Sequence, residues 1–229
     1  MSALRSSSMG PGDPLDPNPG PGGVPRRAGA KRYDLKPGEM YTIRRQVLKL
    51  LGAAFHLYNP AGEVVGYCKQ AALKLKEDIR VYTDESCAQE LLTIKARSII
   101  DFSATYDIAL SDGTPMGSLR RKGLRSTFLK DSWLVFDASG REIATLEEES
   151  GFWGFARRYV DWIALLVPQQ FVLKRSGGSG GVAIANYRAH RNLFVYRLSI
   201  AVLADDPELD DLMILAAGCL LAAIEGRQG

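Results

Sequence analysis

The chain is short of the residues on which most enzyme chemistry depends. Two histidines, His56 and His190, and three cysteines, Cys68, Cys87 and Cys219, are all that 229 residues contain. HExxH, CxxC and Walker patterns are absent, and the GxSxG match at Gly177-Gly178-Ser179-Gly180-Gly181 falls in a glycine-rich turn followed by a strand-like run, where a nucleophile elbow needs a helix. The metalloprotease, dithiol-redox and nucleotide-cleaving classes built on the absent patterns therefore have no motif here. The cysteines are too few and too dispersed for a disulfide framework and are not spaced as a metal set. They fit a reducing compartment. Both histidines fall in strand-like runs, which suits packed or surface imidazoles better than catalytic ones. Charge of one sign is also lacking in the body. Residues 1–32 hold five cations and two anions, whereas 33–229 hold 24 Lys/Arg and 24 Asp/Glu. A neutral body lacks the broad basic footprint of non-specific nucleic-acid binding, so no nucleic-acid partner is expected.

Residues 1–32 contain six Gly and six Pro and almost no large apolar side chains. Such a stretch cannot offset its chain entropy by burial and is expected to be a disordered tail. No apolar run follows Arg5, so it does not read as a secretory signal. Its basic end, Arg26-Arg27 to Lys31-Arg32, reads as a solvated linker or a weak electrostatic tether. Residues 33–229 are expected to form one domain.

From residue 40 the texture changes. Short apolar or alternating runs recur at 55–58, 63–68, 79–82, 90–94, 105–110, 133–136, 142–146, 170–173, 182–187 and 193–200. They are rich in Val, Ile, Tyr and Phe, which suit a pleated, half-buried surface. The turns between them share a chemistry. Asn59-Pro60-Ala61-Gly62, Ser111-Asp112-Gly113-Thr114 and Asp137-Ala138-Ser139-Gly140 each supply a residue able to take positive φ, as tight hairpins require. A fourth hairpin is expected at 175–181. Gly178-Ser179-Gly180-Gly181-Val182-Ala183 matches a dinucleotide fingerprint, but a strand-like run follows it where a phosphate grip needs a helix. Gly66 and Gly117 lie inside strands, where Gly marks a bend, bulge or close backbone approach. The pattern is antiparallel and mainly β, wound into a barrel or sandwich.

The C-terminus breaks it. Asp205-Asp206-Pro207-Glu208 reads as a helix start. Residues 212–224, including Leu212, Ile214, Leu215, Ala217, Gly218, Leu221 and Ile224, are apolar on every face. A helix of this kind must be buried in protein or lipid. These thirteen residues span about 20 Å, short of a hydrocarbon layer of roughly 30 Å. The expected arrangement is a closed sheet with the helix through its middle.

At this point the residues carry a resemblance. The stretch 84–108, the block from Gly117-Ser118-Leu119-Arg120-Arg121-Lys122 to Trp133-Leu134-Val135-Phe136-Asp137, the segment 140–150 and Leu166-Val167-Pro168-Gln169-Gln170-Phe171 are similar to the bacterial scramblase-like, LURP-one-related domains. The similarity runs from about Tyr41 to Arg227. It implies a Tubby C-terminal-like fold, a twelve-stranded barrel around a central hydrophobic C-terminal helix. Tubby-type members bind phosphoinositides and scramblases are credited with calcium-stimulated lipid movement, whereas LURP-one-related members are largely unassigned. The cysteine cluster that animal scramblases use for palmitoylation has no counterpart here. The position of their calcium segment is taken by Asp205, Asp206, Glu208, Asp210 and Asp211, which lack the Gly and distant Glu of an EF-hand loop. Helix capping accounts for these acids; a weak Ca2+ site is the other reading, and no other cofactor is expected.

Two segments carry the functional expectation. Arg120, Arg121, Lys122, Arg125 and Lys130 place five cations in eleven residues with no acid between them, a pattern suited to anionic lipid head groups. The bland reading is a solvated loop balanced by Glu147, Glu148 and Glu149. Residues 152–167 carry Trp153, Phe155, Arg157, Arg158 and Trp162, with aromatics recurring at helical spacing. That reads as a plug for one end of the barrel or as a membrane-interface helix. The expected function is lipid binding without covalent chemistry, by a cytoplasmic protein peripheral at the inner membrane face. The alternative is an interaction module that recruits a protein partner through its tail or a strand edge.

Overall fold

The computed structural model describes residues 35–46, 53–70, 78–97, 104–122, 132–149, 169–177, 181–191 and 195–225. They form twelve strands: β1 (Met40–Gln46), β2 (Ala53–Tyr58), β3 (Val64–Gln70), β4 (Asp78–Tyr82), β5 (Glu90–Ala96), β6 (Thr105–Leu110), β7 (Pro115–Arg121), β8 (Ser132–Asp137), β9 (Glu142–Glu148), β10 (Gln169–Arg175), β11 (Ala183–Arg191) and β12 (Val195–Val202). One helix, α1 (Asp211–Glu225), follows. Each strand pairs antiparallel with its sequence neighbours, and β12 pairs with β1 to close a barrel.

Period-two alternation decides which side chains line the interior. In β12, Tyr196, Leu198, Ile200 and Val202 are buried inside, while Arg197 and Ser199 face out. The apolar face is therefore internal and the charged face external, the reverse of a transmembrane barrel. Among the described residues no helix is long and apolar enough to cross a membrane.

The hairpins obey the turn chemistry. The Asn59, Leu110 and Asp137 amides donate to the carbonyls of Glu63, Thr114 and Arg141, and Gly62, Gly113 and Gly140 take φ of 83°, 87° and 84°. At five hairpins the pairing slips one step inside the turn, for example between Val81 and Tyr82 and between Val135 and Phe136. Such bulges add twist and curl a sheet toward closure. Both strand glycines stand at one of these steps, Gly66 opposite Leu57 and Gly117 opposite Ile108.

Helix α1 fills the barrel. Leu212, Ile214, Leu215, Ala217 and Leu221 are buried, and Ile224 packs against the core from its margin. Its small residues set the fit: a Cβ on Gly218 would lie 2.5 Å from Ile200 Cδ1. The Tyr187 hydroxyl donates to the Ile214 carbonyl at 2.9 Å, and Arg45 Nη1 reaches the Ala222 carbonyl at 3.4 Å. The sequence places the helix start too early. Asp206 caps a turn, through the Glu208 amide, and the helix cap is Asp210, whose Oδ1 accepts from the Leu212 amide at 2.9 Å. Pro207 belongs to that preceding turn because Asp206 is held down by Arg175 at 2.8 Å.

Candidate functional site

The strand directions give the barrel two chemically different rims. At one, short hairpins follow β2, β4, β6, β8 and β10, and β12 turns into α1. The hairpins and the approach to β1 bring Glu39, Glu63, Asp84, Glu85 and Asp112 to this rim, and the run into α1 adds Asp205, Asp206, Glu208 and Asp210. The cations among those described turn residues are Lys36 and Arg141, and Arg141 is paired with Asp137 and Glu208. Asp206 and Glu208 are held by Arg175 at 2.8 and 3.0 Å. Among the described residues no three His, Cys, Asp or Glu side chains converge as a metal set.

The opposite rim is basic. There β1 finishes through Arg44 and Arg45, β3 through Lys69, and β7 through Arg120 and Arg121, with Lys122 just beyond. Among the described residues its acids are fewer; Asp78 lies 3.4 Å from Arg80, Glu147 lies 3.8 Å from Lys174, and Glu149 is exposed. Arg125 and Lys130 lie outside the described residues, as do Trp153, Phe155, Arg157, Arg158 and Trp162. The strands that flank those segments, β7 with β8 and β9 with β10, all have the relevant ends at this basic rim.

The three described members of the basic cluster do not form one patch. Arg120 faces out, its guanidinium 4.7 Å from the Phe136 ring centre. Arg121 shares the inward face with Trp133, 5.8 Å from that ring, and Trp133 in turn packs against Tyr106. Lys122 is exposed and tied to β8 through its amide, which donates to the Ser132 carbonyl at 2.8 Å. Of the acids expected to balance the cluster, Glu147 lies 3.8 Å from Lys174, Glu148 is buried and Glu149 is exposed, with β8 between their strand and β7.

A second basic surface was hidden in the sequence because its members lie far apart along the chain. Register places His190, Arg197, Arg44 and His56 directly opposite one another on β11, β12, β1 and β2. His56 pairs with Glu85 at 2.5 Å and stacks near Tyr67. Arg188 stands two residues before His190 on the same face. Burial, then the neighbouring Arg188 and Arg197 guanidiniums, hold the His190 pKa below its ordinary value.

The interior holds one further arrangement that spacing did not reveal. Cys68 on β3 and Cys219 on α1, 151 positions apart, bring their Sγ atoms to 3.0 Å. The contact with Cys219, then burial, push the Cys68 thiol well above its ordinary range.

Comparison with known proteins adds one finding. The family model described as LURP-one-related matches residues 64–217. The chain belongs to the LURP-one-related family. The match begins at β3 and ends inside α1, narrower than the similarity read from about Tyr41 to Arg227, so the two strands that complete the barrel stand outside it. No curated protein and no solved structure matches the chain.

Proposed function

We propose that this LURP-one-related barrel is a peripheral membrane protein that binds anionic lipid head groups through its basic rim and performs no covalent chemistry. The observation that carries the proposal is the axial separation of charge, with an acidic hairpin rim at one end and Arg120, Lys122 and Lys69 toward the other. A body with this polarity is turned basic rim first by a negative surface before any contact forms. The same reading puts the protein at the cytoplasmic face of the inner membrane, where anionic lipids supply the opposite charge. Kinship with Tubby C-terminal and phospholipid scramblase folds, and the movement of lipids, belong to the same proposal. The barrel threaded by an apolar C-terminal helix supports it. Recruitment of a protein partner through a strand edge finds no edge in the closed barrel. Recruitment through the tail rests on residues 1–32, outside the described residues.

The test is co-sedimentation with phosphatidylcholine and phosphatidylserine vesicles at low and physiological salt. Each surface cation is worth about 1 kcal/mol at an anionic membrane, so Arg120→Ala with Lys122→Ala should weaken binding about thirtyfold. Arg121→Ala, which removes an inward guanidinium, should leave binding nearly intact. Unchanged binding in the double variant, or equal binding to neutral vesicles, overturns the reading.

A further inference from the structure

We propose that the outer face of β11–β12–β1 is a separate anion site that takes a ligand carrying two adjacent phosphate groups, a diphosphate. Two registered rows of outward side chains build it. His190, Arg197 and Arg44 stand opposite one another in the first row, and Arg188, Ser199 and Thr42 in the second. All six are potential hydrogen-bond donors and none is an acid. The short side chains of Ser199 and Thr42 share this face with the longer ones of Arg188, Arg197 and Arg44.

The charge arrangement is costly unless an anion offsets it. Arginines directly opposed across an antiparallel pair repel one another. In a body with equal numbers of cations and anions, acids could have been placed beside them. Among the described residues, Arg80, Arg97, Arg141, Lys174 and Arg175 are the outer cations paired with acids. No described carboxylate lies within ion-pair reach of Arg44, Arg188 or Arg197. The Arg44 guanidinium rests 4.7 Å from the Tyr58 ring centre, on the β2 side of the rows.

Dimensions select the ligand. Three strands about 4.8 Å apart and two rows about 6.7 Å apart give a patch of roughly 10 by 7 Å. That suits two neighbouring phosphates better than one. Forked guanidiniums bind phosphate oxygens in pairs, and the hydroxyls of Ser199 and Thr42 can add neutral donors between them. A soluble diphosphate and a diphosphate lipid head group present the same chemistry.

The proposal does not depend on the basic-rim reading, because its first test contains no membrane. Inorganic pyrophosphate is titrated into the full-length protein while the ring signals of the two histidines are followed by NMR. His190 should shift in a saturable manner and His56, tied to Glu85, should move less. Inorganic phosphate should bind about tenfold more weakly. Arg197→Gln and Arg44→Gln should each weaken pyrophosphate about tenfold, a typical effect of losing one charge-assisted pair. Both side chains are exposed, so melting temperature should hold or rise as like-charge repulsion is relieved. Arg97→Gln, on the far side of the barrel, should leave binding unchanged. Phosphatidylcholine vesicles doped with a polyprenyl diphosphate form the second arm. Their capture, lost in Arg197→Gln, places the ligand on a lipid; pyrophosphate binding without capture places it in solution. Absence of saturable pyrophosphate binding at millimolar concentration, or binding that both variants leave intact, overturns the site.

Discussion

Replacing Gly117 with Ala should be one of the most damaging single-methyl changes in this barrel. Gly117 has φ of 152°, and an added Cβ would lie 2.1 Å from the Phe136 carbonyl oxygen on β8. On the other side stands Met213 Cε of α1 at 3.1 Å, so the residue is pinned between wall and helix. Real Cβ atoms essentially never come closer than 3.0 Å to such a neighbour. The β7–β8 ladder would therefore have to open. Backbone strain of this kind costs about 1–3 kcal/mol, and each ladder bond given up about 1 kcal/mol more. Together these predict a loss of about 3–4 kcal/mol. For a domain of this size that lowers the melting temperature by roughly 10 °C. Gly62→Ala is the control: its φ is 83°, but nothing lies within 4 Å of the added carbon. It should cost about 1 kcal/mol, from φ strain alone. Thermal melts of both variants separate strain from collision. Equal losses would show that the close approach at Gly117 does not exist.

Other outcomes follow from the same interior. Ala217→Asp places an unpaired carboxylate on a helix position that is 2% exposed, so the variant should lose several kcal/mol and fail to accumulate in soluble form; a soluble, cooperatively folded protein would contradict helix burial. Iodoacetamide should label Cys87 alone in the native protein, because Cys68 and Cys219 are buried against each other, and all three should react in denaturant. Mass spectrometry showing three labels on native protein would refute the packing. The Asp137 carboxyl is held down at about 2, chiefly by the Ser139 hydroxyl and then by the Arg141 and Ser139 bonds. A depressed carboxylate stabilises the fold fully above its unfolded value of 3.8 and stops doing so as pH falls through about 2. The melting-temperature gap between wild type and Asp137→Asn should therefore close over that interval.

What could be read in advance was whatever is decided locally. The hairpins at Asn59–Gly62 and Asp112–Gly113 were visible because positive φ leaves a residue signature, and the central helix because an apolar surface on all sides needs a protein sheath. Strand β1 gave no clear signal. Arg45 occupies an inward position where alternation calls for an apolar residue, and it is tolerated because it lies 5.5 Å from the Phe55 ring and reaches the Ala222 carbonyl. The helix start was misplaced because Asp206 answers to Arg175, a partner 31 residues away. The site shows the same division. Arg120 and Lys122 could be found because they are adjacent in sequence. Arg44, Arg188 and Arg197 could not, because only the register of β1, β12 and β11 makes them neighbours.

The closing seam carries a consequence for how the molecule comes into being. Strand β1 pairs with β12, and α1, which follows all twelve strands in the chain, occupies the centre. A finished barrel cannot admit a helix through a rim crowded by turns. The sheet must therefore wrap around α1, with a seam beside β1 zipping last. Until α1 has been made, the inward faces of the strands lack the helix they pack against. The nascent chain is then a natural client for chaperones, and deletion of α1 should remove the whole fold rather than shorten it.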